Sequence, residues 1–382
     1  MIDKKIKTWV YGIWACCMLN SVELVGQSKM KLHFSTLSGY EHNVFNANRN
    51  TVVVLDDGVD LALRSGYYQK VKFYHVLSFK KNNHDLNVSS TLQHDYFPIL
   101  SEASLFRPSI KARYSLTLKK KHKLSLSSRF NRYITNRPED QEEVINPPRA
   151  YHRRQYWLRY QVKYKPRSSF YIEGNIRNNK YLTEEDRTFW YESTGISTGV
   201  SHRMKKGKKQ SQFLESKLSF NRREYTDIQF DFESDKEVEK LREWSYLLFN
   251  SYYTLERKKL YKLSIGMQFI QRNDIIQNRF GYNQYQFLLR YDCNYKKVMI
   301  SFKGSLAHRQ YHSIKARKGE DNLLIHNYIR SNIGFTYKVE NNIDIVANLN
   351  WISRQRNFSN GAVSFLSYNN ANINFGIKYK IR

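Results

Sequence analysis

From Tyr261 onward the chain keeps a beat of two. Tyr261, Leu263, Ile265, Met267 and Phe269 alternate with Lys262, Ser264, Gly266 and Gln268. Tyr285, Phe287, Leu289, Tyr291, Cys293 and Tyr295 then alternate with Gln284, Gln286, Arg290, Asp292 and Asn294. The last segment does the same, with Ala371, Ile373, Phe375, Ile377, Tyr379 and Ile381 set between Asn372, Asn374, Gly376, Lys378 and Lys380. A period of two sends successive side chains to opposite faces of a strand, so each of these segments has one greasy face and one wet face. Soluble strands average about 5–6 residues. These runs are roughly twice that and match the 9–11 residues that cross a bilayer with tilt.

Earlier segments follow the same rule. Val71, Phe73, His75, Leu77 and Phe79 form one stripe; Ile110, Ala112, Tyr114, Leu116 and Leu118 another; Tyr156, Leu158, Tyr160, Val162 and Tyr164 a third. About 16 such segments follow residue 26, an even count as single-chain bacterial barrels have. The connections fall into two classes. Short, mostly basic ones such as "KKNNHD", "KKKHK" and "YKPRS" alternate with longer, often acidic ones such as "NRPEDQEEVINPPR", "LTEEDR" and "DFESDKEVEKLREW". In hydrocarbon every backbone N–H and C=O needs an internal partner, so a sheet can span only if it closes on itself. The pattern therefore predicts an all-β fold: a transmembrane antiparallel up-and-down β-barrel of about 16 strands occupying residues 27–382 as one domain. All six prolines are expected in connections, where a missing N–H costs no ladder bond. The acidic runs of the longer connections read as solvated loop tips, with a short surface helix as the alternative for "SDKEVEKLREW".

Residues 1–26 read as a signal peptide, with the basic start "MIDKKIK" followed by the apolar run "TWVYGIWACCML", too short to span a bilayer. Once Cys16 and Cys17 leave with it, Cys293 alone remains and no internal disulfide can form. Net charge is +29, which in a cytosolic protein would suggest nucleic acid. Distributed among the wet stripe and the turns it loses that meaning, and no nucleic-acid partner is expected.

The ending "NFGIKYKI" resembles the C-terminal β-signal of Gram-negative outer-membrane β-barrel proteins: a polar residue, glycine, and two large apolar residues on alternate positions. Asn374, Gly376, Tyr379 and Ile381 stand in those places. Ile381 replaces the commoner aromatic, and Arg382 follows it. The resemblance implies that the barrel-assembly machinery reads this strand during biogenesis and that it closes the barrel against the first strand. It also implies an outer-membrane location, with outer-membrane lipids as surroundings. The Tyr-, Asn- and Lys-rich composition is similar to barrels of Bacteroidota.

With the apolar stripe assigned to lipid, the other stripe enters the lumen. It carries Lys72, Lys111, Arg113, Arg129, Arg159, Lys163, Arg177, Lys217, Lys262, Arg290, Lys303, Arg330 and Lys378 against Glu173, Glu215, Asp292 and Asp344. Rings of Lys and Arg are what anion pores use, so the first expectation is a passive porin-like channel favouring anionic solutes. Arg290 with Asp292 illustrates the competing reading, in which lumen ion pairs only fill the interior. A non-conducting barrel acting as partner or scaffold in assembly, secretion or surface attachment, with periplasmic or outer-membrane protein partners, is the alternative. Turn lysines such as Lys205, Lys206, Lys208 and Lys209 suit such docking. An outer-membrane lipid hydrolase ranks below both. No Gly-rich phosphate loop, HExxH or cysteine-based metal site occurs, so no catalytic residue, metal or cofactor is assigned.

Overall fold

The computed structural model describes residues 27–44, 65–135, 150–182, 190–206, 210–226, 228–231, 236–239, 242–257, 260–276, 278, 280–316, 321–357 and 367–381. The signal peptide expected over residues 1–26 lies outside them, as does most of the acidic connection sequence. The chain begins with β1 (Gln27–His42), β2 (Gly66–Lys81), β3 (His84–Tyr96), β4 (Leu105–Leu118), β5 (His122–Thr135), β6 (Ala150–Lys165), β7 (Ser168–Leu182), β8 (Trp190–Lys206) and β9 (Gln210–Thr226). A separate hairpin of β10 (Ile228–Asp231) and β11 (Lys236–Glu239) follows. Then come β12 (Arg242–Arg257), β13 (Tyr261–Asp274), β14 (Tyr282–Tyr295), β15 (Val298–Lys315), β16 (Leu323–Lys338), β17 (Ile343–Arg356) and β18 (Tyr368–Ile381). Apart from β10 and β11, the 16 strands pair antiparallel in chain order, and β1 pairs with β18 to close the ring. This is the all-β up-and-down barrel that the alternation predicts. No helix among the described residues is long and apolar enough to cross a membrane, which says nothing of strands.

The two classes of connection sort to opposite ends. The described turns at residues 82–83, 119–121, 166–167, 296–297 and 339–342 join strands at one end; the strand ends that flank the longer connections, such as His42 and Gly66, lie at the other. These described short turns contain no glycine. Lys119 and Lys120 both adopt positive φ, 47° and 58°, as the primed hairpin turns require.

Closure is tight. Leu32 faces Ile381, Phe34 faces Tyr379 and Ser38 faces Phe375 across the seam. A Cβ on Gly376 would lie on the Thr36 carbonyl oxygen of β1, and one on Gly39 would meet the Ile373 carbonyl at 2.5 Å. Glycine at both positions lets the two backbones approach. Side chains add a latch on the inner face. Tyr68 donates its hydroxyl hydrogen to Asn372 Oδ1 at 2.8 Å and accepts from Asn374 Nδ2 at 3.0 Å, while Asn370 Nδ2 donates to Glu41 at 3.0 Å. Asn348 donates to Asn374 Oδ1 at 2.8 Å, so the network spans four strands, β17, β18, β1 and β2, through the seam.

Two expectations are corrected. Pro108 lies inside β4, not in a connection. The β4–β5 ladder lapses at Arg107 and Pro108 and resumes in the same register at Ser109–Asn131, while Pro108 stays opposite Leu92 of β3. A proline costs one donor there without displacing the strand. The second correction concerns "SDKEVEKLREW", where residues 236–239 pair as β11 against β10 and Arg242 opens β12. A partner strand satisfies the backbone of both short segments, which outweighs local helix propensity.

Candidate functional site: the barrel interior

Strand register fixes which side chains face inward. Side chains on alternate strands can meet only on the concave side, and there Lys217 of β9 reaches Glu173 of β7 at 3.2 Å. The Lys111 ammonium of β4 likewise lies 6.0 Å from the Trp157 ring of β6. Parity carried around the ring through the direct partners assigns the convex face to Phe34, Ile172, Ile196, Leu218, Phe249, Met267, Leu306, Ile333 and Phe375. These side chains are exposed, Met267 by 65% and Phe375 by 59%. The concave face receives Lys111, Arg113, Arg129, Arg159, Lys163, Arg177, Lys262, Arg290, Lys303, Arg330 and Lys378, together with Lys72 and Lys217.

These cations fall into three groups. Some are neutralised. Buried Glu173 accepts from Arg159 Nε at 2.7 Å and also binds Lys217, and the Arg159 guanidinium lies 4.3 Å from the Tyr171 ring. Arg290 pairs with Asp292 at 2.8 Å, the pairing considered in the sequence, and Lys380 pairs with buried Asp344. Others are held by neutral groups. Arg129 Nε donates to Asn131 Oδ1 at 3.0 Å. Arg177 donates to the Gln155 amide oxygen at 2.8 Å once that amide is turned to face it. The Arg330 guanidinium lies 5.8 Å from the Tyr328 ring. Lys72, Lys111, Arg113, Lys163, Lys262, Lys303 and half-buried Lys378 form the third group: the described residues give their side chains no hydrogen bond or ion pair, and the first six are exposed to the interior.

Nearer the long connections the interior changes character. Tyr133, Tyr151, Tyr181, Tyr191, Tyr225 and Trp244 touch in sequence over β5 to β12, with ring centroids 4.9–6.2 Å apart. Arg272 bridges the next gap, 4.2 Å from Trp244 and 4.3 Å from Tyr282. Tyr282, Tyr311, His326 and Tyr328 carry the contacts on to β16. Arg223 and Arg309 lie over further rings of the belt at 4.1–5.1 Å. The belt is buried: Tyr311 and Arg272 are 0% exposed and Trp244 is 1%. Described parts of the long connections turn in upon this end. Phe97 stacks on Tyr68 at 5.2 Å, and the Phe280 carbonyl accepts from Arg272 Nε at 2.8 Å. An aromatic face is attracted to a guanidinium, more strongly when both are desolvated, so the belt is a packed ring and not a row of open faces.

Sequence reasoning missed the belt. The signal was present as a tyrosine two residues from a cation near the long-connection end of five strands: Tyr68 with Lys70, Tyr151 with Arg153, Tyr225 with Arg223, Tyr311 with Arg309 and Tyr328 with Arg330.

The described residues hold no group of three His, Cys, Asp or Glu that could bind a metal ion. Two serine–histidine contacts occur among the described residues, Ser65 Oγ with His42 Nδ1 at 3.0 Å and Ser168 Oγ with His202 Nδ1 at 2.7 Å. Among the described residues no acid meets the other ring nitrogen of either histidine, the position of the third member of a nucleophilic triad.

No protein-family model matches the sequence, and no curated protein does. Among solved structures the chain is similar to OccAB3 of Acinetobacter baumannii, with 10% identity, 93% of this chain and 100% of that chain covered, and a TM-score of 0.44. It is also similar to the outer membrane protein OpdK of Pseudomonas aeruginosa, with 11% identity, 92% and 99% coverage and a TM-score of 0.42. OmpT, an outer membrane protein of Vibrio cholerae, is similar in its loop-L8 deletion form, with 7% identity, 93% and 99% coverage and a TM-score of 0.47.

Proposed function

We propose that this protein is an outer-membrane channel whose interior favours anionic solutes. The observation that carries the reading is the set of exposed, unpaired cations Lys72, Lys111, Arg113, Lys163, Lys262 and Lys303 on the concave face of a ring whose convex face is apolar. Soluble monomers expose contiguous apolar patches of a few hundred Å² at most; here the apolar band continues over successive strands around the barrel, which suits acyl chains. Outward tyrosines near the turn ends, Tyr114, Tyr160, Tyr164, Tyr291, Tyr295, Tyr337 and Tyr379, suit the headgroup level. Strands of 13–18 residues exceed the roughly 9–11 needed to cross. Fixed positive charge between low-dielectric walls raises the local anion concentration. Asn374, Gly376, Tyr379 and Ile381 serve in this reading as the assembly signal, with the peptide over residues 1–26 as the export signal.

The buried belt favours a second reading, a barrel shut at the long-connection end that acts as a partner or scaffold. Planar-bilayer recording across a salt gradient separates the two. A reversal potential of anion-selective sign supports the channel; cation selectivity removes it, and an absence of conductance in folded protein supports the closed barrel.

A further inference from the structure

Among the described residues, a recess of the interior wall brings unpaired cations, hydroxyls and an indole together. It lies on β4–β7, has a volume of about 220 Å³, and is lined by Lys111, Arg113, Ser127, Trp157, Arg159 and Glu173, with Ser125 beneath them. Arg113, Ser127 and Trp157 are direct neighbours across β4, β5 and β6, so they form one row about 10 Å long at the usual strand spacing. Lys111 lies one step along β4 with its ammonium 6.0 Å from the Trp157 ring, the outer limit of cation–π attraction.

The partners already taken show what is left for a ligand. Arg159 and Lys217 are committed to Glu173, so the carboxylate in the recess is covered by two cations. Ser125 is committed to Ser115 at 3.0 Å. Lys111 and Arg113 hold no acid, and Ser127 has no side-chain hydrogen bond among the described residues. What remains is two unpaired cations, one free hydroxyl and an indole face.

We propose that this recess is a subsite for an acidic monosaccharide, a hexose ring carrying a carboxylate. The sugar ring lies on Trp157, its acid group meets Lys111 and Arg113, and a ring hydroxyl meets Ser127. Each feature excludes a simpler ligand. Bare cations would serve any small anion, but an indole beside them adds affinity only for a ring. A neutral sugar would leave both cations without a counter-charge. The volume is below the roughly 300–1,000 Å³ of pockets for drug-sized ligands, which fits one sugar unit. The proposal rests on the reading of the interior as aqueous and names a solute class for it.

The test is a titration of the full barrel in detergent, by calorimetry and tryptophan fluorescence, with galacturonate, galactose and acetate as probes. Galacturonate is expected to bind about tenfold more tightly than either of the others, the increment of one stacking or charge-assisted contact. Trp157→Leu and Arg113→Gln are each expected to lose about that factor, Trp157→Phe to keep part of it, and Thr336→Ala on β16 to bind as the parent does. Heat-modifiable gel mobility certifies that each variant is folded. Equal affinity for acetate and galacturonate, or an unchanged Trp157→Leu, overturns the subsite. Bilayer recording on the same preparation distinguishes the two failures: anion selectivity without galacturonate preference removes the subsite alone, while galacturonate binding without conductance removes the channel alone.

Discussion

Arg272 and Arg113 both point into the barrel, and they share almost nothing else. Arg272, near the long connections, lies between Trp244 and Tyr282 with the Phe280 carbonyl on its guanidinium, and no solvent reaches it. Arg113, in the lower wall formed by β4 and β5, is exposed, and the described residues give its side chain no partner. The belt uses arginine as a packing element whose charge is spent on rings and carbonyls. The wall leaves its cations exposed and unpaired, so in the proposed channel their field acts on whatever enters. Sequence charge alone therefore overstates the interior potential; accessible and unpaired charge sets it.

The comparison can be broken or sharpened by substitution. The largest effect is expected at the seam on which both regions depend. Gly376→Ala would drive a methyl into the Thr36 carbonyl, and the expected result is loss of the heat-modifiable folded band; normal folding would show that β1 and β18 do not close as described. Next is Arg272→Ala in the belt. Removing a buried cation and opening a void beside Trp244 and Tyr282 should cost about 3 kcal/mol in urea unfolding, with ion selectivity unchanged in the fraction that folds. A selectivity change without a stability change would mean that the belt guanidinium faces the solute path.

Glu173→Gln joins the two behaviours. It frees Arg159 and Lys217, so stability should fall by about 1–2 kcal/mol while anion preference rises; a fall in anion preference would contradict the assignment of those cations to the interior. The smallest stability effect belongs to the double change Lys111→Gln and Arg113→Gln. Without partners to lose, it should unfold within about 0.5 kcal/mol of the parent, yet shift the reversal potential toward cations. Destabilisation well beyond that would place these side chains in a structural network like that of Arg272.

Much of the architecture was legible because a membrane-style strand encodes its two faces in alternate residues. The runs from Tyr261 and from Tyr285 gave strands, faces and register parity together, and "NFGIKYKI" indicated a closing strand. The belt was not legible for a specific reason. Tyrosine counts as apolar in an alternation, so Tyr151, Tyr225 and Tyr328 on the inner stripe blur the period instead of declaring a second function. Periodicity also reports a face without reporting neighbours, and neighbours decide whether Arg159 is free or held by Glu173. Pro108 was misplaced because a proline can lie in a strand wherever one ladder lapses, which depends on the partner strand. The segment around Lys236–Glu239 has no apolar period at all, so its pairing with Ile228–Asp231 left no local trace.

Cysteine accessibility in proteoliposomes tests the two-faced barrel most directly. In a Cys293→Ser background, single substitutions Ser264→Cys, Ile265→Cys, Met267→Cys and Gln268→Cys on β13 would be exposed to a charged, water-soluble maleimide. Rapid labelling at 264 and 268 with protection at 265 and 267 is the predicted result. Equal labelling at all four positions, or protection at 264 and 268 with labelling at 265 and 267, would contradict a lipid-facing apolar stripe around a wet interior.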